Sequence, residues 1–352
     1  MIYSGGDPEH GNWEQRWHPL RQEWVIMAAH RQNRPWSGVV HEGTEHSEVE
    51  HDPDCYLCPR NDRVHSRVNS DYRGVYVFDN DHPCVSMHAP GTLEKPTGIY
   101  QNRPASGVAR VICFSEKHNM TLARLPSPGM LDVLHAWQSE YTELGSKPDL
   151  DHVLIFENNG EVVGVSNPHP HGQIYATNFV FNTIDIEARA AADHLKKTGS
   201  ILFQDIISAE LNDETRVIDE NDHAIAFIPY FARYAYEVYV APRKTYSSIA
   251  DVPDDELIAF GQILRSVLVR FDNLWKIKFP YVMVHHNAPT DGRTYDGFHY
   301  HIQFHPPLRK PGLIKHLAGP EIGGGNFLSD TNPDEKAAEL RNVSSTHYLD
   351  AD

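Results

Sequence analysis

Runs of alternating apolar and β-branched residues give way to helical spacing along this chain, and the order in which they do so recurs. From Ala109, ARVICFSEKHNMTLARLPSPGMLDVLHAWQ passes from an alternating strand through a Lys-containing turn and a Leu-Ala-x-Leu-Pro loop into a helix opening near Pro128. The same succession returns 127 residues on, at Tyr236, as YEVYVAPRKTYSSIADVPDDELIAFGQIL, with its helix opening near Pro253. The strand HVLIFENNG from His152 is echoed by PYVMVHHNA from Pro280, both β-branched and both carrying Asn at the end. Finally His169-Pro-His171-Gly-Gln173 is echoed, 130 residues on, by His299-Tyr-His301-Ile-Gln303. Four elements in one order at nearly constant spacing predict two copies of an antiparallel-sheet-plus-helix unit, hence an α+β fold. The pattern assigns residues 1–180 to the first copy, 181–330 to the second and 331–352 to a helix and tail. A helix is predicted between the copies, from Ile184 to Lys197 with Gly199 as its stop, and another from Pro333 to Arg341.

Composition narrows the function. A net charge of −17 over 352 residues disfavours a surface that grips nucleic acid, while leaving room for a local basic pocket. No stretch approaches the roughly 18 apolar residues that span a bilayer. The opening MIYSGGDPEHGN has neither a basic nor an apolar signal region, so a cytoplasmic protein without a membrane partner is expected. Four cysteines do not make a disulfide framework. Cys55 and Cys58 form a C-x-x-C, which points to metal or redox chemistry, and Cys84 and Cys113 are expected to be buried packing residues. The 23 histidines are the informative excess, concentrated in the two strings above.

In SNPHPHGQIYA, Ser166 to Ala176, an extended backbone places Asn167, His169, His171 and Gln173 on one side. Pro168 and Pro170 fix φ and donate no hydrogen bond, which should stiffen the string and keep it off a central strand. A neutral imidazole is a nucleophile near pH 7, and attack on an α-phosphorus would give a phosphoramidate that a second phosphate could cleave. Gln173 can donate to a non-bridging oxygen as charge shifts. Histidines two apart equally suit a metal, so the residues alone leave both readings open. In FHYHIQFH the period is two: His299, His301, Gln303 and His305 face one way, Tyr300, Ile302 and Phe304 the other.

The motifs resemble those of the galactose-1-phosphate uridylyltransferase family, whose signature contains NPHPHGQ. The likeness extends through HRQNRPW (from His30), HDPDCYLC (His51), VFDND (Val77), RVICFSEKH (Arg110), FENNG (Phe156), the His299 string and KHLAGPE (Lys315), in order. It implies a duplicated histidine-triad-like fold and a ping-pong reaction in which UDP-glucose uridylylates His171 and galactose 1-phosphate takes the group. It also implies a homodimer whose sites are completed across the interface. Gln173 would assist His171. Substrate contacts are implied for Arg31 and Arg34, the latter pair from the neighbouring subunit, and for Val64, Asn80, Asp81, Asn158, Gly164, Val165, Ser166, Lys315, His316, Pro320 and Glu321. His316 and Pro320 stand where some members carry aromatic residues. Cys55, Cys58, His118 and His169 would hold a structural zinc. Glu187, His286, His299 and His301 would hold iron or a second zinc, an ion set suited to imidazole and carboxylate.

Two other readings compete. One keeps the fold but acts as a nucleotidylyltransferase or phosphorylase on ADP-sugars or dinucleoside polyphosphates. The other, a zinc-stabilised nucleic-acid module, is opposed by the acidic balance and the lack of a Lys/Arg-rich segment. A P-loop kinase is excluded, since no G-x-x-x-x-G-K-[ST] occurs.

Overall fold

The computed structural model describes residues 13–350, apart from 34–39, 42, 44 and 45. In chain order the strands are β1 (Glu14–His18), β2 (Glu23–Met27), β3 (Tyr76–Asp79), β4 (Gly107–Cys113), β5 (His152–Asn159), β6 (His171–Thr177), β7 (Val217–Glu220) and β8 (Ala224–Phe227). They continue with β9 (Val238–Pro242), β10 (Tyr281–His286), β11 (His301–His305), β12 (Leu308–Lys310), β13 (Leu313–Ile314) and β14 (Leu328–Ser329). The α-helices are α1 (Ser127–Gly145), α2 (Asn182–Thr198), α3 (Leu202–Asp213), α4 (Asp254–Trp275) and α5 (Pro333–Asn342).

One antiparallel sheet carries both copies, in the order β3-β4-β6-β5-β10-β11-β9-β8-β7. The units β4-α1-β5-β6 and β9-α4-β10-β11 have the same chain order, and the sheet places them as mirror-ordered halves that meet where β5 pairs with β10. Even the loop before each long helix repeats, as a single tight turn at Leu122–Arg124 and at Ile249–Asp251. The α+β class and the duplication read from the sequence are thus seen directly.

Local signals set the helix boundaries. Pro128 occupies the first turn of α1, where its missing N–H costs no hydrogen bond. Gly199 ends α2 at φ +77°, a left-handed position that glycine adopts without a Cβ clash. In α1 the buried Met130, Val133, Leu134, Trp137, Tyr141 and Leu144 recur at three- and four-residue steps, so one stripe packs on the sheet.

A row of directly paired residues shows what each sheet face does. Phe78, Val111, Gln173, Phe156, Val284, Gln303, Tyr239 and Phe227 lie side by side across eight strands, and paired residues share a face. The opposite face, with Ile112, Ile155, Ile174, Val240 and Ile302, is buried in the main core with α1 and α4. On the face of the row, Phe227 and Tyr239 pack under α2 and α3 through Ala190, Phe203, Ile206 and Ile207. At the other end, Phe78, Val111 and Gln173 line an open cleft. The two glutamines therefore share one row and one face, yet one faces a cleft and the other is buried.

Candidate active site and metal centres

His171 is the first residue of β6, a strand bonded on both sides, to β4 and to β5. The expectation that the prolines keep this string off a central strand is corrected: Pro168 and Pro170 precede β6, so their lack of a donor interrupts no ladder bond. What orients the ring is a backbone contact. His171 Nδ1 lies 2.7 Å from the His169 carbonyl oxygen, which can only accept, so Nδ1 carries the proton and Nε2 keeps its lone pair. Burial holds the pKa of this imidazole below its ordinary value, and the Lys278 cation adds to the effect, so the ring is neutral at pH 7. The Lys278 ammonium itself donates to the Pro168 carbonyl at 3.3 Å.

The cleft beside His171 holds about 450 Å³ and is lined by Tyr56, Leu57, Val64, Phe78, Asn80, Asp81, His82, Val111, Ser166, Gln173 and Tyr175. Five substrate residues expected from sequence, Val64, Asn80, Asp81, Ser166 and Gln173, thus meet around the ring. Asp81 is gripped by Arg63 through two bonds of 2.9 Å and by Arg67 at 2.8 Å, which fixes the carboxylate while leaving lone pairs for hydroxyls. The Arg63 guanidinium also stacks 3.8 Å over the Phe78 ring, making that aromatic a rigid wall. Asn158 alternates with Phe156 on β5 and so shares the face of Gln173. Gly164, at φ +87°, closes the turn Glu161–Val163, and Val165 carries the chain on to Ser166.

A second hollow, of about 190 Å³, gathers Arg31, Lys315, His316, Pro320 and Glu321 with Arg309 and Asp330, and shares no lining residue with the first. Lys315 pairs with Glu321 at 2.7 Å, and Arg31 with Asp330 at 3.4 Å. Arg34 lies outside the described residues. The expected substrate contacts therefore fall into two groups that a single chain keeps apart.

Sequence reasoning passed over several cleft residues. Tyr175 was within reach, because it continues the alternation that runs through His171 and Gln173. Tyr56, Leu57, Phe78, His82 and Val111 come from distant segments, and Lys278, bonded to the Pro168 carbonyl beside the string, comes from the second copy. Nothing local marks them.

Cys55, Cys58, His118 and His169 are all buried, with one ligand atom from each lying within 4.8 Å of the others. Cys58 Sγ is 3.6 Å from His118 Nδ1 and 3.5 Å from His169 Nδ1. Tetrahedral zinc, with bonds of about 2.3 Å to sulfur and 2.0 Å to nitrogen, demands S···N edges of about 3.5 Å, so the set fits. His169 Nε2 donates to the Ser115 carbonyl at 3.0 Å, which leaves Nδ1 as the ligating atom. Cys113 is buried beside this loop as expected, but Cys84 is exposed: it lies on the Asn80–Cys84 turn past β3, not in a strand.

The second string repeats this geometry bond for bond. His301 Nδ1 is 2.9 Å from the His299 carbonyl, as His171 is with His169, and His299 Nε2 donates to the Pro242 carbonyl at 3.0 Å, as His169 does to Ser115. Here, however, the ring is covered by α2 and α3. Glu187, His286 and His301 form a buried group able to hold an ion, with Glu187 Oε2 2.7 Å from His286 Nδ1. His299 stands apart from these three, with its Nδ1 facing the Gln204 amide at 3.4 Å and its ring stacked on Phe203. A third set, His46, Asp272 and His347, was not anticipated. Both imidazoles reach Asp272 Oδ2 at 3.2 Å, and the Leu349 amide donates to His347 Nδ1, so His347 Nε2 carries a proton. His347 thus ties the C-terminal segment to α4 by a hydrogen bond to Asp272, with the His46 ring beside the same oxygen.

Two family models, described as the N-terminal and C-terminal domains of galactose-1-phosphate uridyl transferase, match residues 8–180 and 187–352. A galactose-1-phosphate uridylyltransferase of Haemophilus influenzae is 36% identical over 95% of each chain. That of Rattus norvegicus is 32% identical over 95% of this chain and 88% of its own. A solved uridylyltransferase structure, 26% identical, superposes with a TM-score of 0.75 over 93% of this chain and 97% of that one. An ADP-glucose phosphorylase from Arabidopsis thaliana, 22% identical, shares the fold at a TM-score of 0.76, covering 95% and 99%. Fold, cleft and relatives together define a nucleotidyltransferase. Within that class, the chain belongs to the galactose-1-phosphate uridylyltransferase family.

Proposed function

We propose that the protein exchanges a uridylyl group between UDP-glucose and galactose 1-phosphate through a covalent uridylyl-His171 intermediate. The observation that carries this reading is the His169 carbonyl, which accepts a hydrogen bond from Nδ1–H and so leaves an unprotonated Nε2 on a ring lining a nucleotide-sized cleft. Nε2 bonds to the α-phosphorus of UDP-glucose as the bond to glucose 1-phosphate breaks. A phosphate oxygen of galactose 1-phosphate then takes the group and releases the ring. Gln173, which lines the cleft, can donate to the phosphoryl oxygens as charge builds, and Asp81, held by Arg63 and Arg67, suits ribose hydroxyls. Mass spectrometry of enzyme mixed with UDP-glucose alone should find one added uridylyl group on the peptide containing His171. An adduct on another side chain, or exchange only when both sugar phosphates are present, would overturn the mechanism. ADP-glucose run in parallel should give no adduct.

The second hollow supports a homodimer in which Arg31, Arg34, Lys315, His316, Pro320 and Glu321 of one protomer complete the cleft of the other. On this arrangement, His171→Ala and Lys315→Ala proteins, each nearly inactive alone, should regain activity when their subunits are exchanged. Persistent inactivity of verified mixed dimers would rule it out.

The Cys55, Cys58, His118, His169 set is read as a zinc site with a structural role, since four protein ligands leave no open position. Glu187, His286 and His301, with His299 at their edge, are read as holding iron or a second zinc. The copies are read as 1–180 and 181–330, with 331–352 as an appended helix and tail, in a cytoplasmic enzyme.

A further inference from the structure

Gln173 follows His171 by two residues on the same face of β6, and its usefulness depends on which way its carboxamide points. With Nε2 toward the histidine it donates to a phosphoryl oxygen; turned over, it presents Oε1 and repels the same oxygen. Tyr175 settles the choice. Its hydroxyl donates to Gln173 Oε1 at 2.8 Å. The Tyr175 ring is held edge-on by Phe156, at 4.9 Å and 82°.

The second copy supplies an internal control. Gln303, the counterpart of Gln173, directs Nε2 to within 2.9 Å of His301 Nε2, so this spacing brings the amide nitrogen to the reactive edge of the histidine. There the orientation is set by acceptors, because the same Nε2 also donates to Glu187 at 3.2 Å, while Oε1 has no partner among the described residues. Among the described residues no carboxylate is bonded to Gln173, and the residue two further on is Tyr175 where the second copy has His305. One copy orients its glutamine by pulling on the amide NH2, the other by holding the carbonyl.

We propose that Tyr175 is a positioning residue for nucleotidyl transfer: its hydroxyl holds Gln173 Oε1 so that the amide NH2 is turned toward the phosphoryl group at His171. This role rests on the His171 reading above. Single-turnover formation of the adduct from UDP-glucose tests it in the wild type, Tyr175→Phe, Gln173→Ala and the double variant, each with its thermal midpoint. Loss of one orienting hydrogen bond should slow Tyr175→Phe about tenfold, with the half-saturating UDP-glucose concentration changed less than about twofold. Gln173→Ala should be slowed about 100-fold. In the double variant the Phe substitution should cost nothing further, since Tyr175 acts through Gln173. An equal tenfold cost in both backgrounds, or a wild-type rate in Tyr175→Phe, overturns the positioning role alone. Failure of the wild type to form an adduct on His171 overturns the transfer reading, and the positioning role with it.

Discussion

Replacing His171 with Ala is expected to lower turnover by at least about 10⁴-fold and to abolish the covalent adduct, because removing a covalent nucleophile costs on this scale. No neighbouring group can stand in. His169 is fully buried, with Nε2 bonded to the Ser115 carbonyl and Nδ1 facing Cys58. His82 lines the cleft but sits on the turn after β3, not on β6. The fold should be little affected, since the His171 side chain makes one hydrogen bond, to a carbonyl only two residues away, and such a bond contributes about 1 kcal/mol. Steady-state exchange between UDP-glucose and galactose 1-phosphate, with circular dichroism and metal analysis, checks all three. A folded His171→Ala enzyme retaining even a hundredth of its turnover would refute the assignment.

The second large effect is on stability. Cys58→Ser should release one equivalent of metal and lower the thermal midpoint by on the order of 10 °C, because metal-binding free energy is folding free energy. Burial, reinforced by the neighbouring Cys55, pushes the Cys58 thiol up to about 12, so without a cation beside it this cysteine stays protonated. Serine supplies a poor ligand in its place and leaves Cys55 with two imidazoles. The consequence reaches the active site through His169, whose carbonyl orients His171 and whose ring belongs to the metal set. Adduct formation should therefore fall as well, though by less than in His171→Ala. Inductively coupled plasma mass spectrometry and calorimetry on one preparation decide the matter. An unchanged metal content and midpoint would show that the four residues hold nothing.

Much of this was legible in the chain itself. The duplication, the strands and the long helix that recur in each copy, His171 with Gln173, and the Cys-x-x-Cys loop all follow from local patterns: alternation, helical spacing, Pro and Gly at helix ends, and ligand chemistry. These depend on residues a few positions apart, and a sequence displays such relations openly. Tertiary structure alone decided how the two histidine strings differ. Both make the same ring-to-carbonyl bond, with or without prolines, so backbone stiffness does not separate His171 from His301. The cover does. Helices α2 and α3 close over His301 and leave the equivalent face at His171 open, a matter of which surface packs on which across a hundred residues. The same holds for the separation of Arg31 and Lys315 from the cleft, for Lys278 arriving from the other copy, and for the exposure of Cys84. Burial and approach are set by the packing of distant segments, and no short window of sequence contains both partners.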